Sequence, residues 1–317
     1  MADSVDDRYE PLTPAEATLL ADIRGAESLD ALGRVIDESL PHDAYLTAKE
    51  LWTPLREREL GPPEPPAGLP AVTVTVRGTA FHVHGITHAD TDAERSFLRE
   101  HLADYLDDGA SVYCEQGIRS MYFEDLPAVC EMDDYRWAIA ECRKLDADSN
   151  VADLVDSPFT GLDEELSAVT DRLRDTAFSL IHTGRDVYGD RFADALGDVA
   201  SDFLRSHEAL ATGEAFTSFV RTRAAAENPA ALVDLARYYE TAFLPQPLER
   251  EWLRRHDPEL ELLTHARNAR MADYVLDAAG DAGRVHLVVG AAHRPGVRYY
   301  LERHRDGERS LDGFVPV

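Results

Sequence analysis

Two stretches near opposite ends of the chain follow one plan: a β-rich run, a Gly-x-x-His turn and an amphipathic helix. The first is FHVHGITHADTDAERSFLREHL, with Gly85 and His88; the second is VHLVVGAAHRPGVRYYLERH, with Gly290 and His293. A strand that feeds a helix rejoins its sheet through a crossover, and crossovers of this kind make strands parallel. The chain is thereby constrained toward an α/β fold with a central, mostly parallel sheet. Open parallel sheets place ligands beyond the carboxyl ends of their strands, where both histidines fall. The glycines let the backbone leave a strand sharply and approach a ligand closely. The positive end of the following helix favours neutral imidazole, the form that coordinates metal. The repetition predicts duplicated halves that face each other and bring His88 and His293 together.

Between and around these stretches the punctuation is uneven. GPPEPPAGLP, Gly61–Pro70, forbids helix and reads as an extended linker. Residues 1–60 before it read as a helical N-terminal element, with a helix start at Thr13-Pro14-Ala15-Glu16. After the linker, AVTVTV alternates as a strand, and Arg77-Gly78-Thr79 offers a turn into a hairpin partner. Thr91 and Glu94 predict a capping box for the helix after His88. ASVYCEQG, Ala110–Gly117, reads as a strand beside the first motif's strand, ending in Glu115. From about residue 120 to residue 261 the pattern is almost wholly helical, including LDEELSAVTDRLRDTAFSLI and RFADALGDVASDFL. The expectation is one α/β domain over 71–317, carrying an all-helical insertion at about 120–261.

Charge limits the partners. Sixty acidic residues against 32 basic ones give a net charge of −28, and lysine occurs only at Lys49 and Lys144. Such a surface stays hydrated where salt screens its self-repulsion, which reads as a halophilic cytoplasmic protein, with an unusual acidic mesophile as the lesser option. It disfavours binding to nucleic acid or to an anionic membrane through a basic patch. No apolar run approaches the length of a membrane span. The three cysteines, Cys114, Cys130 and Cys142, lack a CxxC pair and read as reduced thiols.

Two further residues complete a candidate site. Glu115 ends a strand, so its carboxylate points toward the edge where His88 lies. Arg267 shares a helix face with Met271, Tyr274 and Ala278 and points inward, where a guanidinium needs a carboxylate or an anion. Asn268 beside it reads as helix-surface polarity. His88, His293 and Glu115 form a possible set of three metal ligands that leaves a position for water. Arg267 could then stabilise an oxyanion, and in an alternative division Glu115 is the general base. His82 and His84 read as a polar strand face, and His101 and His304 as core or boundary residues. His182, His207, His256 and His265 show no ligand spacing. Cys114 faces away from Glu115 and has no neighbouring base.

GITH, YCEQG, RNARMADYV and VVGAAHRPGV together resemble the TraB/Tiki group, which includes pheromone-shutdown and GumN-like proteins. That group belongs to a superfamily with erythromycin esterases and ChaN-like haem-binding proteins. The resemblance covers roughly residues 71–120 and 262–306 and is to a haloarchaeal-type soluble member; archaeal relatives often carry membrane spans after the domain, and the expectation that this chain has none is a departure from them. It implies the paired histidine motifs, a glutamate and an arginine, which fall on His88, His293, Glu115 and Arg267. Tiki-type members are metal-dependent proteases, which implies a divalent ion such as manganese or cobalt and a peptide or amide substrate. A non-catalytic protein that binds a peptide or haem through the same histidines is the alternative, and a scaffold that uses the insertion as its surface is a third reading.

Overall fold

The computed structural model describes residues 9–63, 68–145, 179, 181, 189–200 and 216–317. The expected helix over 162–181 lies almost entirely outside them, as do His182 and His207.

Three helices open the chain: α1 (Pro14–Gly25), α2 (Leu29–Ile36) and α3 (Pro41–Leu60). The helix start read at Thr13 takes the form of a capping box, with Thr13 and Glu16 satisfying each other's backbone. Strand β1 (Ala71–Val76) then pairs antiparallel with β2 (Thr79–Ile86). Arg77 and Gly78 join them at φ 51° and 91°, the doubly left-handed turn that matches the twist of a tight hairpin. Helix α4 (Asp92–Asp107), β3 (Ser111–Cys114), α5 (Ile118–Tyr122), β4 (Val129–Glu131) and α6 (Asp134–Leu145) follow. Further along come α7 (Asp190–Ala200), α8 (Thr217–Glu227), α9 (Leu232–Ala242), α10 (Gln246–His256), α11 (Pro258–Leu263) and α12 (His265–Ala278). Strand β5 (Arg284–Gly290) and α13 (His293–Arg305) complete the fold.

The fold is α/β. Its sheet has the order β1-β2-β5-β3-β4, and every pair except β1–β2 is parallel. Two expectations are corrected here. The strand that ends at Glu115 does not lie beside β2, because β5 pairs with both and sits between them. The region from 120 to 261 is not all helical, since β4 adds an edge strand to the sheet. Its three residues are too few to show a period-two pattern.

Strand alternation sends side chains to two cores. Phe81, Val83, Val285, Leu287 and Val289 pack with Met271, Val275, Val297 and Leu301 of α12 and α13. Ile86, Val112, Cys114 and Val288 face the other way, toward a core that also holds Leu98, Leu102, Leu248 and Trp252. The N-terminal helices share this second core: Tyr45 stacks on Trp252 at 4.2 Å, and its hydroxyl donates to Glu249 at 2.6 Å.

Candidate functional site

Each of the four parallel strands delivers one polar group at its carboxyl end. Beyond β2 comes His88, beyond β3 Glu115, beyond β4 Asp134 and beyond β5 His293. The backbone ladder continues past the strand ends: Glu115 N–H donates to Val288 O, Met132 N–H to Cys114 O and Ala291 N–H to Ile86 O, each at 2.8–2.9 Å. These bonds fix the four turns relative to one another.

The two motif glycines have linked roles. A Cβ on Gly85 would lie 2.9 Å from Ala291 Cα, inside the second motif's turn. A Cβ on Gly290 would lie 3.2–3.4 Å from the His88 ring and Glu115 Oε2. Each glycine thus makes room for the opposite motif, rather than only for a ligand. The motifs differ in backbone, however. His88 is left-handed at φ 60° and lies upstream of α4, whereas His293 is the first residue of α13. A left-handed histidine is uncommon, and such conformations persist only where the surroundings enforce them.

Glu115 is the centre of the arrangement. His88 Nε2 lies 3.3 Å from its Oε2 and His293 Nε2 lies 3.8 Å from its Oε1. Gly290 N–H donates to Oε2 at 2.7 Å, and Arg267 Nη2 donates to Oε1 at 2.5 Å. The expected inward direction of Arg267 is therefore realised. Its guanidinium also donates to Asp134 Oδ2 from Nε at 2.9 Å and from Nη2 at 2.5 Å, and it lies over the Tyr135 ring at 3.4 Å. His88, Glu115, Arg267, His293 and Asp134 are all buried, and none lines the cleft of about 760 Å³ elsewhere in the fold.

Burial pushes the Glu115 carboxyl up, but His88, Arg267 and His293 outweigh it and hold the group well below the usual carboxylate range. Asp134 is raised by burial and by Glu115, against the pull of Arg267. Burial lowers His293 to about 3, against Glu115 and with help from Arg267, so its imidazole is neutral. Its Nδ1 lies 2.7 Å from Asn268 Oδ1, while Asn268 Nδ2 donates to Gln246 Oε1 at 2.9 Å. The amide thus presents oxygen to the ring, which puts the proton on Nδ1 and leaves the Nε2 lone pair facing Glu115. His88 Nε2 is buried, and its 3.3 Å approach to Glu115 Oε2 falls short of good hydrogen-bond geometry.

Asn268 is consequently not surface polarity: it is fully buried and sets the His293 tautomer. Asp134 and Gln246 are the other contributors that sequence reasoning missed. Asp134 follows the short strand β4; Gln246 carries no pattern at all. The predicted capping box at Thr91 forms in one direction only. Thr91 Oγ1 accepts from Glu94 N, but the Glu94 carboxylate turns inward to Thr87 N, Thr87 Oγ1 and the Tyr122 hydroxyl at 2.6–2.8 Å. It braces the turn that carries His88.

His84 is not part of a solvated polar face. It is buried with its Nε2 2.9 Å from His286 Nδ1, and His286 stacks on His82 and Tyr105 at 4.7 and 3.8 Å. His304 pairs with Asp273 at 2.7 Å as a buried structural histidine, and His101 bonds Phe97 O. Cys114, Cys130 and Cys142 are free thiols, and burial raises Cys114 well above its ordinary value.

The donor set has the chemistry of a divalent site: an ionised carboxylate, a neutral imidazole with a directed lone pair, and a second imidazole nitrogen beside the carboxylate. Bonds near 2.0–2.2 Å in a tetrahedral site put ligand atoms roughly 3.3–3.6 Å apart, close to the 3.3 and 3.8 Å from Glu115. Among the described residues, no three His, Cys, Asp or Glu side chains already enclose an ion position. The Arg267 guanidinium is the physical obstacle, contacting Glu115 Oε1 and lying 3.4 Å from His293 Nε2. No helix among the described residues is long and apolar enough to cross a membrane. Comparisons with protein-family models, with curated proteins and with solved structures find no match.

Proposed function

We propose that this chain is a metal-dependent hydrolase acting on a peptide or amide bond, with the TraB/Tiki resemblance as its family. The observation that carries the reading is one buried carboxylate, Glu115, flanked by the Nε2 atoms of two histidines from separate strand ends. On this reading His88 and His293 hold the ion through Nε2, Glu115 holds it through its carboxylate, and manganese or cobalt is the metal. When bound, the ion lowers the pKa of a water and polarises a carbonyl. Asn268 keeps the His293 lone pair directed at the site, and Glu94 braces the His88 turn. Arg267 balances Glu115 and Asp134 in the closed state and supplies positive charge to a developing oxyanion. Because every one of these groups is buried, substrate entry requires local opening of the turns. The matched strand–turn–histidine contexts support an internally duplicated origin for the domain.

The same full burial favours a second reading, in which the cluster is a structural ion network. Purified protein, with and without manganese, assayed on a peptide library separates the two. Metal-stimulated cleavage that disappears in folded His88→Ala and His293→Ala supports the hydrolase. A folded parent that binds no manganese and cleaves nothing refutes it, and haem absorbance on titration would point instead to a binding protein.

A further inference from the structure

The fold carries a second polar region that the hydrolase reading does not use. A cleft of about 760 Å³ opens between α9 and α13, bounded on its other sides by the start of β1 and the end of α3. Arg237, Arg294 and Arg298 line it, together with Glu240 and Asp104. Leu60, Leu69, Pro70, Val72, Val233 and Ala236 give it apolar walls.

The arginines are poorly neutralised. Arg298, Arg294 and Arg56 all approach the single Glu240 carboxylate, at 3.3, 3.5 and 3.6 Å. Charge-assisted contacts in well-formed pairs are about 2.7–2.9 Å, and this protein makes such pairs elsewhere, as in Arg99–Asp125 and Arg58–Glu16 at 2.6 Å. Arg298 has a second carboxylate in Glu302 at 2.9 Å, but among the described residues Arg294 has only the distant Glu240. The Arg294 side chain is 11% exposed, and its buried Nε has no hydrogen-bond partner. Arg237 Nη2 donates to the carbonyls of Glu57 and Gly61, neutral acceptors that do not cancel its charge. A largely buried guanidinium without a close carboxylate is costly. In a chain of net charge −28, an arginine left under-neutralised at a cleft wall is an unusual allocation of positive charge.

We propose that this cleft binds a small organic anion, its carboxylate or phosphate on Arg294 and Arg298 and its apolar body against the proline- and leucine-lined wall. Arg294 follows His293 in sequence, yet the site does not depend on the hydrolase reading, because none of its residues belongs to that set.

Isothermal titration of the full chain with phenyl phosphate, phenylacetate and inorganic phosphate, at one fixed salt concentration, tests this directly. At least one of the two aromatic anions should bind saturably and more tightly than inorganic phosphate, and which one does so identifies the anionic group. Arg294→Met and the half-exposed Arg298→Met should each weaken that binding by at least about tenfold, while Arg284→Met, remote on β5, should not. A retained thermal transition shows that the variants fold, and Arg298→Met covers the case in which Arg294→Met does not. Three results overturn the site: no saturable binding of any probe, aromatic anions that bind no better than inorganic phosphate, or affinity unchanged in the folded arginine variants.

Discussion

Gly296 lies in the first turns of α13, against the side chain that orients His293. A Cβ built there would sit 2.1 Å from Asn268 Nδ2, 2.5 Å from its Cγ and 2.9 Å from its Cβ. Helix propensity alone makes Gly→Ala favourable by about 1 kcal/mol in a helix interior. Overpacking of a filled interior opposes this by about 1–3 kcal/mol. Asn268 cannot yield by moving only its tip, because its own Cβ is also too close. It would lose its bonds to Gln246 and His293, and each lost buried hydrogen bond costs about 1 kcal/mol or more. The sum favours destabilisation of Gly296→Ala by about 2–4 kcal/mol. Urea unfolding at fixed salt measures it, with Gly25→Ala as the control, since a Cβ on Gly25 meets nothing within 4 Å. The control should be neutral or slightly stabilised. If Gly296→Ala gains the same stability as Gly25→Ala, the close packing of α13 on Asn268 is wrong, and the assigned His293 tautomer falls with it.

Arg267→Met should lose about 3–5 kcal/mol in the same assay, because it strands Glu115 and Asp134 as buried carboxylates without their shared cation. Glu115→Gln should also lose stability, because the ionised carboxylate favoured by His88, Arg267 and the Gly290 N–H is gone, but less than Arg267→Met, since Arg267 keeps Asp134; a loss as large as that of Arg267→Met would refute this division. Burial, reinforced by neighbouring histidines, lowers His84 to about 3 and His286 to about 4. Both are neutral in the folded state, so the unfolded chain binds extra protons as pH falls below about 6.5, and folding weakens by up to about 1.4 kcal/mol per pH unit per histidine until the folded values are reached. The pH-stability slope of His286→Gln should be shallower than the parent's between pH 6.5 and 4.5, and equal slopes would sink the assignment.

The sequence made the two histidine turns legible because the signal is local: a strand, a glycine and a histidine within a few residues. Glu115 and the inward face of Arg267 were legible for the same reason, one at a strand end and one on a helix stripe. The position of β5 between β2 and β3 was not legible, because it depends on pairing between segments about two hundred residues apart. Asp134 was hidden by the brevity of β4, and Asn268 by standing beside a more conspicuous arginine. The stack of His82, His84 and His286 looked like polar alternation because periodicity shows which residues share a face but not what covers it.

Charge balance bears on what completes the cluster. Glu115 and Asp134 carry two negative charges when ionised, Arg267 carries one positive charge, and the neutral His293 adds none. These four groups then sum to one negative charge, with the His88 ring beside it, in a buried region where an unpaired charge is expensive. Burial and Glu115 raise the affinity of Asp134 for a proton, which would cancel that charge. On the hydrolase proposal, a divalent cation at Glu115 would take this sum from −1 to +1, and its charge would repel Arg267 toward Asp134. Arg267 already bridges both carboxylates, so the change requires only that it release Glu115 and keep Asp134. The guanidinium that blocks an ion position in the closed arrangement is thus also the group that a bound ion would displace toward a waiting partner.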